Sequence, residues 1–224
     1  MIDSLISSLA PHYCLSCGEI GEQICENCYF DIELSPRGIC FICRKILVAS
    51  QCSSCAVLRD VTQIVLAERA GMLARLIDDY KFMCTRDTDK IIARLLDDGV
   101  PVLPSHSHLI PVPTAPSHVR RRGFDHTYDF VRRFAAARSV AFSPFVVRRH
   151  SHAQVGASRT KRQQQATQAY RMKKGVTLDP EAVYVVCDDI VTTGASMAAM
   201  ITMLRRYGAS HIICVALLQQ PWQE

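Results

Sequence analysis

The stretch from Ala182 to Ser196, AVYVVCDDIVTTGAS, decides how the rest of the chain is read. Val183, Tyr184, Val185 and Val186 are apolar and mostly β-branched, with no alternation. That is the pattern of a parallel strand covered on both faces. The strand is expected to end in two adjacent carboxylates, Asp188 and Asp189. Thr192, Thr193, Gly194, Ala195 and Ser196 then make a hydroxyl-rich turn, and Ala198, Met200, Ile201 and Leu204 follow at helical spacing. Such a strand, acidic pair, turn and helix suit a sugar phosphate. Backbone N–H groups and the helix N-terminus take the phosphate, and the carboxylates accept hydrogen bonds from a ribose diol. Helix capping alone would account for Thr193 or Ser196. It would not account for paired carboxylates, whose mutual repulsion demands a compensating partner.

Working outward, the segments alternate between strand and helix patterns. Val61–Ala67 reads as a strand, and Gly71–Lys81 as a helix with Met72, Leu73, Leu76, Ile77 and Tyr80 on one face. Asp89–Leu96 is a second helix, and Leu109–Pro113 a short strand whose end is weakened by two prolines. Arg120–Phe124 reads as a basic loop, with Arg120, Arg121 and Arg122 clustered beside Gly123. Guanidiniums so grouped match phosphate geometry, although a charge run can equally be a solvated surface. Asp125–Ala137 is a helix and Phe142–Val147 a strand. His150 to about Thr167 is rich in Arg, Gln and Ser, and is either an exposed helix or a long excursion. Ile212–Leu218 closes the chain as a strand. This alternation implies an α/β fold with a doubly wound, mostly parallel sheet.

Eight of the 11 cysteines fall before residue 56, all as C-x-x-C pairs: Cys14/Cys17, Cys25/Cys28, Cys40/Cys43 and Cys52/Cys55. Such pairs suit metal knuckles better than disulfides. Four thiolates close the coordination sphere of Zn²⁺, so such sites would be structural, with one or two ions supplying folding energy to residues 1–60. The spacing leaves open sequential pairing, crossed pairing, and iron–sulfur chemistry. Residues 1–60 are therefore expected to form a zinc-binding unit and 61–224 the α/β domain. The scattered Cys187 and Cys214 read as small core residues.

A hydrophobic content of 49% over 224 residues supports a sizeable core and argues against global disorder. The net charge of +5 fits anionic substrates or nucleic acid and selects neither. The first 11 residues carry Leu5, Ile6 and Leu9 without a basic leader region, so a short amphipathic helix is expected there. No membrane insertion is expected, and the setting is read as cytoplasmic.

The acidic pair and turn closely resemble the phosphoribosyl pyrophosphate (PRPP) motif of type I phosphoribosyltransferases. The order along the chain narrows the resemblance: C-x-x-C knuckles, GMLARLIDDYKF, IPVP-x7-RRRGF, R-x4-Q-x7-R and CDDIVTTGAS. It is similar to the ComF/GntX family, competence-associated proteins with an N-terminal double zinc ribbon, across nearly the whole chain. The resemblance implies Mg²⁺-dependent transfer of ribose 5-phosphate from PRPP to an acceptor, with pyrophosphate leaving. Asp188 and Asp189 would then hold the ribose hydroxyls, and Thr192, Thr193, Gly194, Ala195 and Ser196 the 5′-phosphate. Val112, Pro113, Arg120, Arg121 and Arg122 would meet the pyrophosphate. Residues 148–165 would form a flap, with Arg159 and Arg162 closing on the diphosphate, and Gly71–Lys81 would belong to a hood over the acceptor. The chain departs from the family at Asp125-His126, where Asn-Gln is usual, and at Gln165, where Asn is common. Neither change is expected to touch the acidic pair or the phosphate turn.

Two other readings compete. A protein that handles single-stranded DNA during uptake would use aromatic side chains near the knuckles, with Tyr13, Tyr29, Phe30 and Phe41 as candidates. Only Arg37, Arg44 and Lys45 supply positive charge around them, which weakens that reading. The other is a non-catalytic PRPP sensor, possible because a fold does not fix a function.

Overall fold

The computed structural model describes residues 12–35, 38–83, 87–148 and 169–221. The segment 1–11, Arg37 and the stretch 149–168, which carries Gln154, Arg159, Arg162 and Gln165, lie outside the described residues.

The N-terminal part is built from short pieces: β1 (His12–Tyr13), β2 (Ile20–Gly21) and α1 (Glu26–Phe30). Then follow β3 (Val61–Glu68), α2 (Gly71–Phe82), α3 (Thr88–Gly99) and β4 (Ser107–Pro111). The chain continues through α4 (Pro116–Arg122), α5 (His126–Ala137), β5 (Ala141–Phe142), β6 (Val146–Arg148) and β7 (Tyr170–Met172). It closes with β8 (Val183–Val191), α6 (Ala195–Arg206) and β9 (His211–Gln219). Among the described residues no helix is long and apolar enough to cross a membrane.

The main sheet has five parallel strands in the order β3-β9-β8-β4-β5. Its centre, β8, is flanked by β9 and β4 and buries Val183 through Cys187 without a break, as the unalternating apolar run predicts. Side chains of a strand alternate between faces, and the core divides accordingly. Tyr184 and Val186 face α6, whose Met197, Met200, Ile201 and Leu204 are buried beside them. Val183, Val185 and Cys187 face the opposite layer, where α2, α3 and α5 contribute Leu76, Tyr80, Leu96 and Phe130. At about 1.5–3 kcal/mol for each large apolar side chain buried, these two layers supply most of the driving force for this arrangement.

Three local expectations are corrected. Arg120–Phe124 is not a loop: Arg120, Arg121 and Arg122 form the last turn of α4. Pro116 opens that helix and Gly123, at φ +80°, ends it, an N-terminal proline and C-terminal glycine pattern. Phe142–Val147 is not one strand, because Ser143-Pro144 separates β5, on the main sheet, from β6, which pairs antiparallel with β7. The strand β8 does not stop at the acidic pair but runs on to Val191, held by β9 through Val191↔Gln219.

The cysteine-rich segment straddles the edge strand β3. Residues from its first half (Ile24, Tyr29, with Leu15 and Cys28 packed alongside) join the α2–α3–α5 layer. Those from its second half (Cys40, Phe41, Leu47, Cys52) join the α6 layer.

Candidate functional site

The chain leaves β4 toward β5 on one side, and leaves β8 toward β9 on the other. The carboxyl ends of β4 and β8 therefore border a crevice at the point where the strand order reverses, the usual ligand position in open α/β sheets. Both sequence-predicted ligand segments sit there. Val112 donates its N–H to the Cys187 carbonyl at 2.8 Å, so the Val112–Pro113 turn lies beside the acidic pair.

Asp188, Thr192, Thr193, Gly194, Ala195 and Ser196 line one open depression, together with Ile190, Val191 and Met197. Gly194 adopts φ +72°, a left-handed conformation that L side chains disfavour by roughly 1–2 kcal/mol. Gly194, at the N-cap of α6, offers no capping side chain, and the Ala195 N–H donates to Thr193 Oγ1 at a long 3.4 Å. The helix N-terminus that lines this depression thus gives a cradle for an anion.

The two carboxylates part company. Being adjacent on a strand, they point to opposite faces. Asp188 is half-buried in the depression. Asp189 is 3% exposed on the other face, where its Oδ2 lies 2.8 Å from Lys81 Nζ and 2.8 Å from His126 Nε2. Burial pushes the Asp188 carboxyl up to about 8, reinforced by the negative charge of Asp189. Burial acts on Asp189 in the same sense, but Lys81 and His126 outweigh it and hold its carboxyl below the usual range.

Lys81, the basic residue in the last turn of α2, and His126, the first residue of α5, are thus the compensating partners that the acidic pair demands. No periodicity points to them. The only signal is the departure at Asp125-His126, and the expectation that this departure leaves the acidic pair untouched is corrected here. Asp125 caps α5 by accepting from the Tyr128 N–H, and Thr114 Oγ1 donates to it at 2.7 Å. Arg122 Nη1 approaches His126 Nδ1 at 3.0 Å. Because a guanidinium only donates, Nδ1 is the acceptor, and Nε2 carries the proton facing Asp189. Arg122 is therefore turned inward, 9% exposed, while Arg120 and Arg121 remain on the surface.

The cysteines assemble into two sets, Cys14/Cys17/Cys25/Cys28 and Cys40/Cys43/Cys52/Cys55, each with all sulfur atoms within 4.8 Å of one another. Sequential pairing is thereby realised and crossed pairing is not. Tetrahedral Zn–S bonds of 2.3 Å require sulfurs about 3.8 Å apart. The Sγ–Sγ distances of 3.7 Å (Cys17–Cys25), 3.6 Å (Cys43–Cys52) and 3.9 Å (Cys40–Cys55) fit zinc. Burial disfavours thiolates, yet backbone N–H groups bring Cys14 down to about 6, and the Lys45 N–H with the neighbouring thiols brings Cys43 down to about 7, while their partners Cys25, Cys28, Cys40 and Cys55 are raised. Both tetrads can hold zinc with four protein ligands, which leaves no open coordination position.

Of the four aromatic residues near the knuckles, Tyr29 and Phe41 are buried, and Tyr13 and Phe30 are exposed. Between residues 12 and 35 the chain has five acidic residues and no lysine or arginine.

Comparison with known proteins finds similarity to part and to most of the chain. Residues 119–224 match the family model of the phosphoribosyl transferase domain. Competence protein F of Haemophilus influenzae is 22% identical over 213 residues, 84% of this chain and 93% of that protein. Among solved structures, adenine phosphoribosyltransferase from Leishmania tarentolae shares 12% identity at a TM-score of 0.41, covering 70% of this chain and 91% of that one. Glutamine PRPP amidotransferase from B. subtilis shares 17% identity at a TM-score of 0.39 over 57% of this chain, which spans 25% of that longer chain. The chain is thus similar over residues 119–224 to the phosphoribosyl transferase domain, and over most of its length to Competence protein F.

Proposed function

We propose that the depression at the end of β8 binds the ribose 5-phosphate part of PRPP, and that the chain transfers this group to an acceptor. The observation that carries the reading is the gathering of Asp188 and Thr192–Ser196 around one cradle at the N-terminus of α6. In this reading the N–H groups of Thr193 to Ser196 hold the 5′-phosphate, and Asp188 accepts from the ribose hydroxyls. Asp189 acts from beneath the site: clamped by Lys81 and His126, it fixes α2 and α5 to the strand that carries Asp188. Val112, Pro113, Arg120 and Arg121 would face the pyrophosphate, with Arg159 and Arg162 closing over it from the segment outside the described residues.

The step breaks the bond between the anomeric carbon and the pyrophosphate oxygen. Pyrophosphate leaves with the electron pair, the acceptor bonds to carbon, and the acceptor's proton passes to solvent. Mg²⁺ carried with the diphosphate would neutralise charge on the leaving group. The chain's own contribution is alignment and fixed dipoles. We further propose a cytoplasmic setting, where tetrads of reduced thiols keep their zinc, and the division into a zinc-binding unit over 1–60 and a phosphoribosyltransferase domain over 61–224. The similarity to Competence protein F supports a link to DNA uptake. Direct capture of single strands by the first knuckle is disfavoured by its charge, because an acidic surface repels phosphates.

The test is titration of wild type, Asp188→Asn and Gly194→Ala with ribose 5-phosphate. Both variants are expected to bind at least about 10-fold more weakly, an effect of about 1.4 kcal/mol, with unchanged far-UV circular dichroism. Equal affinities would refute the assignment.

A further inference from the structure

The second cysteine tetrad packs on the phosphate turn itself. A Cβ on Gly194 would sit 2.9 Å from Ile42 Cγ1 and 3.0 Å from the carbonyl oxygen of Phe41. Both neighbours belong to the loop between two metal-ligating cysteines, Cys40 and Cys43. Arg44, directly after Cys43, donates from Nη2 to the carbonyl of Thr192 in the same turn. The loop is anchored from behind by Gln63 on β3, whose Oε1 accepts the Phe41 N–H at 3.0 Å. At the far end of α6, Arg205 donates to the carbonyls of Val57, at 3.1 Å, and Arg59. The segment 40–59 therefore grips the phosphate helix at both ends. The first tetrad has no part in this, because its neighbours Ile24 and Tyr29 belong to the layer on the other face of the sheet.

We propose that the zinc-loaded second tetrad is a positioning element of the phosphate site, with Ile42 and Arg44 as the positioning residues. Metal occupancy of Cys40/Cys43/Cys52/Cys55 and binding of a phosphate ester are then coupled. The inference rests on reading Thr192–Ser196 as a phosphate site. Backbone donors bind an anion tightly only when they are held convergent before it arrives, and here the wall that holds them is a loop whose shape four metal–sulfur bonds dictate. Coupling of this kind is reciprocal: the ligand retards loss of that zinc, and loss of that zinc weakens the ligand.

The experiment follows zinc transfer from the full-length, zinc-loaded protein to a chromogenic chelator, with and without ribose 5-phosphate, beside calorimetric titration of the same samples. Of the zinc released by the two tetrads, one equivalent is expected to leave about 5-fold more slowly in the presence of the ligand and the other at an unchanged rate. The double variant Ile42→Ala, Arg44→Ala is expected to retain its zinc, lose the protection, and bind ribose 5-phosphate at least about 5-fold more weakly. Arg44→Ala alone, at an exposed hydrogen bond, should move both readouts in the same direction and serves if the double variant misfolds. Protection of neither equivalent, or of both equally, overturns the coupling. Undiminished affinity in the variants overturns the positioning role. If the wild type binds no ribose 5-phosphate in the calorimeter, the phosphate-site reading itself falls, and the coupling with it.

Discussion

Asp188 and Asp189 are neighbours in sequence with opposite surroundings. The motif was legible, and so was its need for a compensating partner, because two adjacent carboxylates repel. What was not legible was the division of labour. Strand alternation sends only Asp188 into the depression, and the partners beside Asp189, the Lys81 ammonium and the His126 Nε2–H, come from 108 and 63 positions away. Sequence spacing carries no record of such a contact. The environment of Asp188 has a measurable consequence. Its folded value, raised to about 8, exceeds the unfolded value of about 3.9, so the folded state binds the proton more tightly. The associated stability is fully present below about pH 4 and is lost as the pH rises through 8. Between pH 6 and 8 the wild type should therefore lose about 1–2 kcal/mol relative to Asp188→Asn, the full linkage value being reduced by the solvent that reaches this side chain. Urea unfolding of both proteins across that range measures the difference, and parallel stability curves would contradict it.

At the scale of elements, long periodic segments were read correctly and punctuation was read less well. The stripe Leu73, Leu76, Ile77 and Tyr80 predicts α2, and all four are buried. The last turn of α4 was mistaken for a loop because three consecutive arginines mask the capping signals of Pro116 and Gly123. The layer that carries His126 and Lys81 is tied together by side chains that no pattern announces. Arg133 Nε pairs with the buried Asp89 at 2.6 Å. Arg138, just past α5, donates to the side chain and carbonyl of Asp97 and to the carbonyls of Val100, at 2.6 Å, and Pro101, at 3.2 Å. It thereby satisfies the orphan carbonyls at the C-terminus of α3. Arg138→Ala should cost about 1–3 kcal/mol, since hydrogen bonds to a charged group are lost and carbonyls are left without their donor. A thermal melt should drop by several degrees while ribose 5-phosphate affinity stays within about 2-fold. An unchanged melting temperature would show that solvent replaces the guanidinium.

For the whole molecule, the doubly wound sheet followed from the alternation of strand and helix patterns, and the tetrads from C-x-x-C spacing. Their docking did not follow, because spacing fixes which cysteines can share a metal and says nothing of what the knuckle rests on. The structure sets the two knuckles on opposite faces of the edge strand, one against the α2–α3–α5 layer and the other against the Thr192–Ser196 turn. The site thus draws on three separated parts of the chain: the turn after β8, the clamp from α2 and α5, and a wall from the second knuckle. The central claim is that this assembly is a working PRPP site. Calorimetric titration of the purified protein with PRPP, in the presence and absence of Mg²⁺, tests it most directly. The account predicts binding in the micromolar range, about −8 kcal/mol, that requires Mg²⁺ and exceeds the affinity for ribose 5-phosphate. Absence of heat with PRPP and Mg²⁺, from a protein that retains its zinc and its fold, would contradict it.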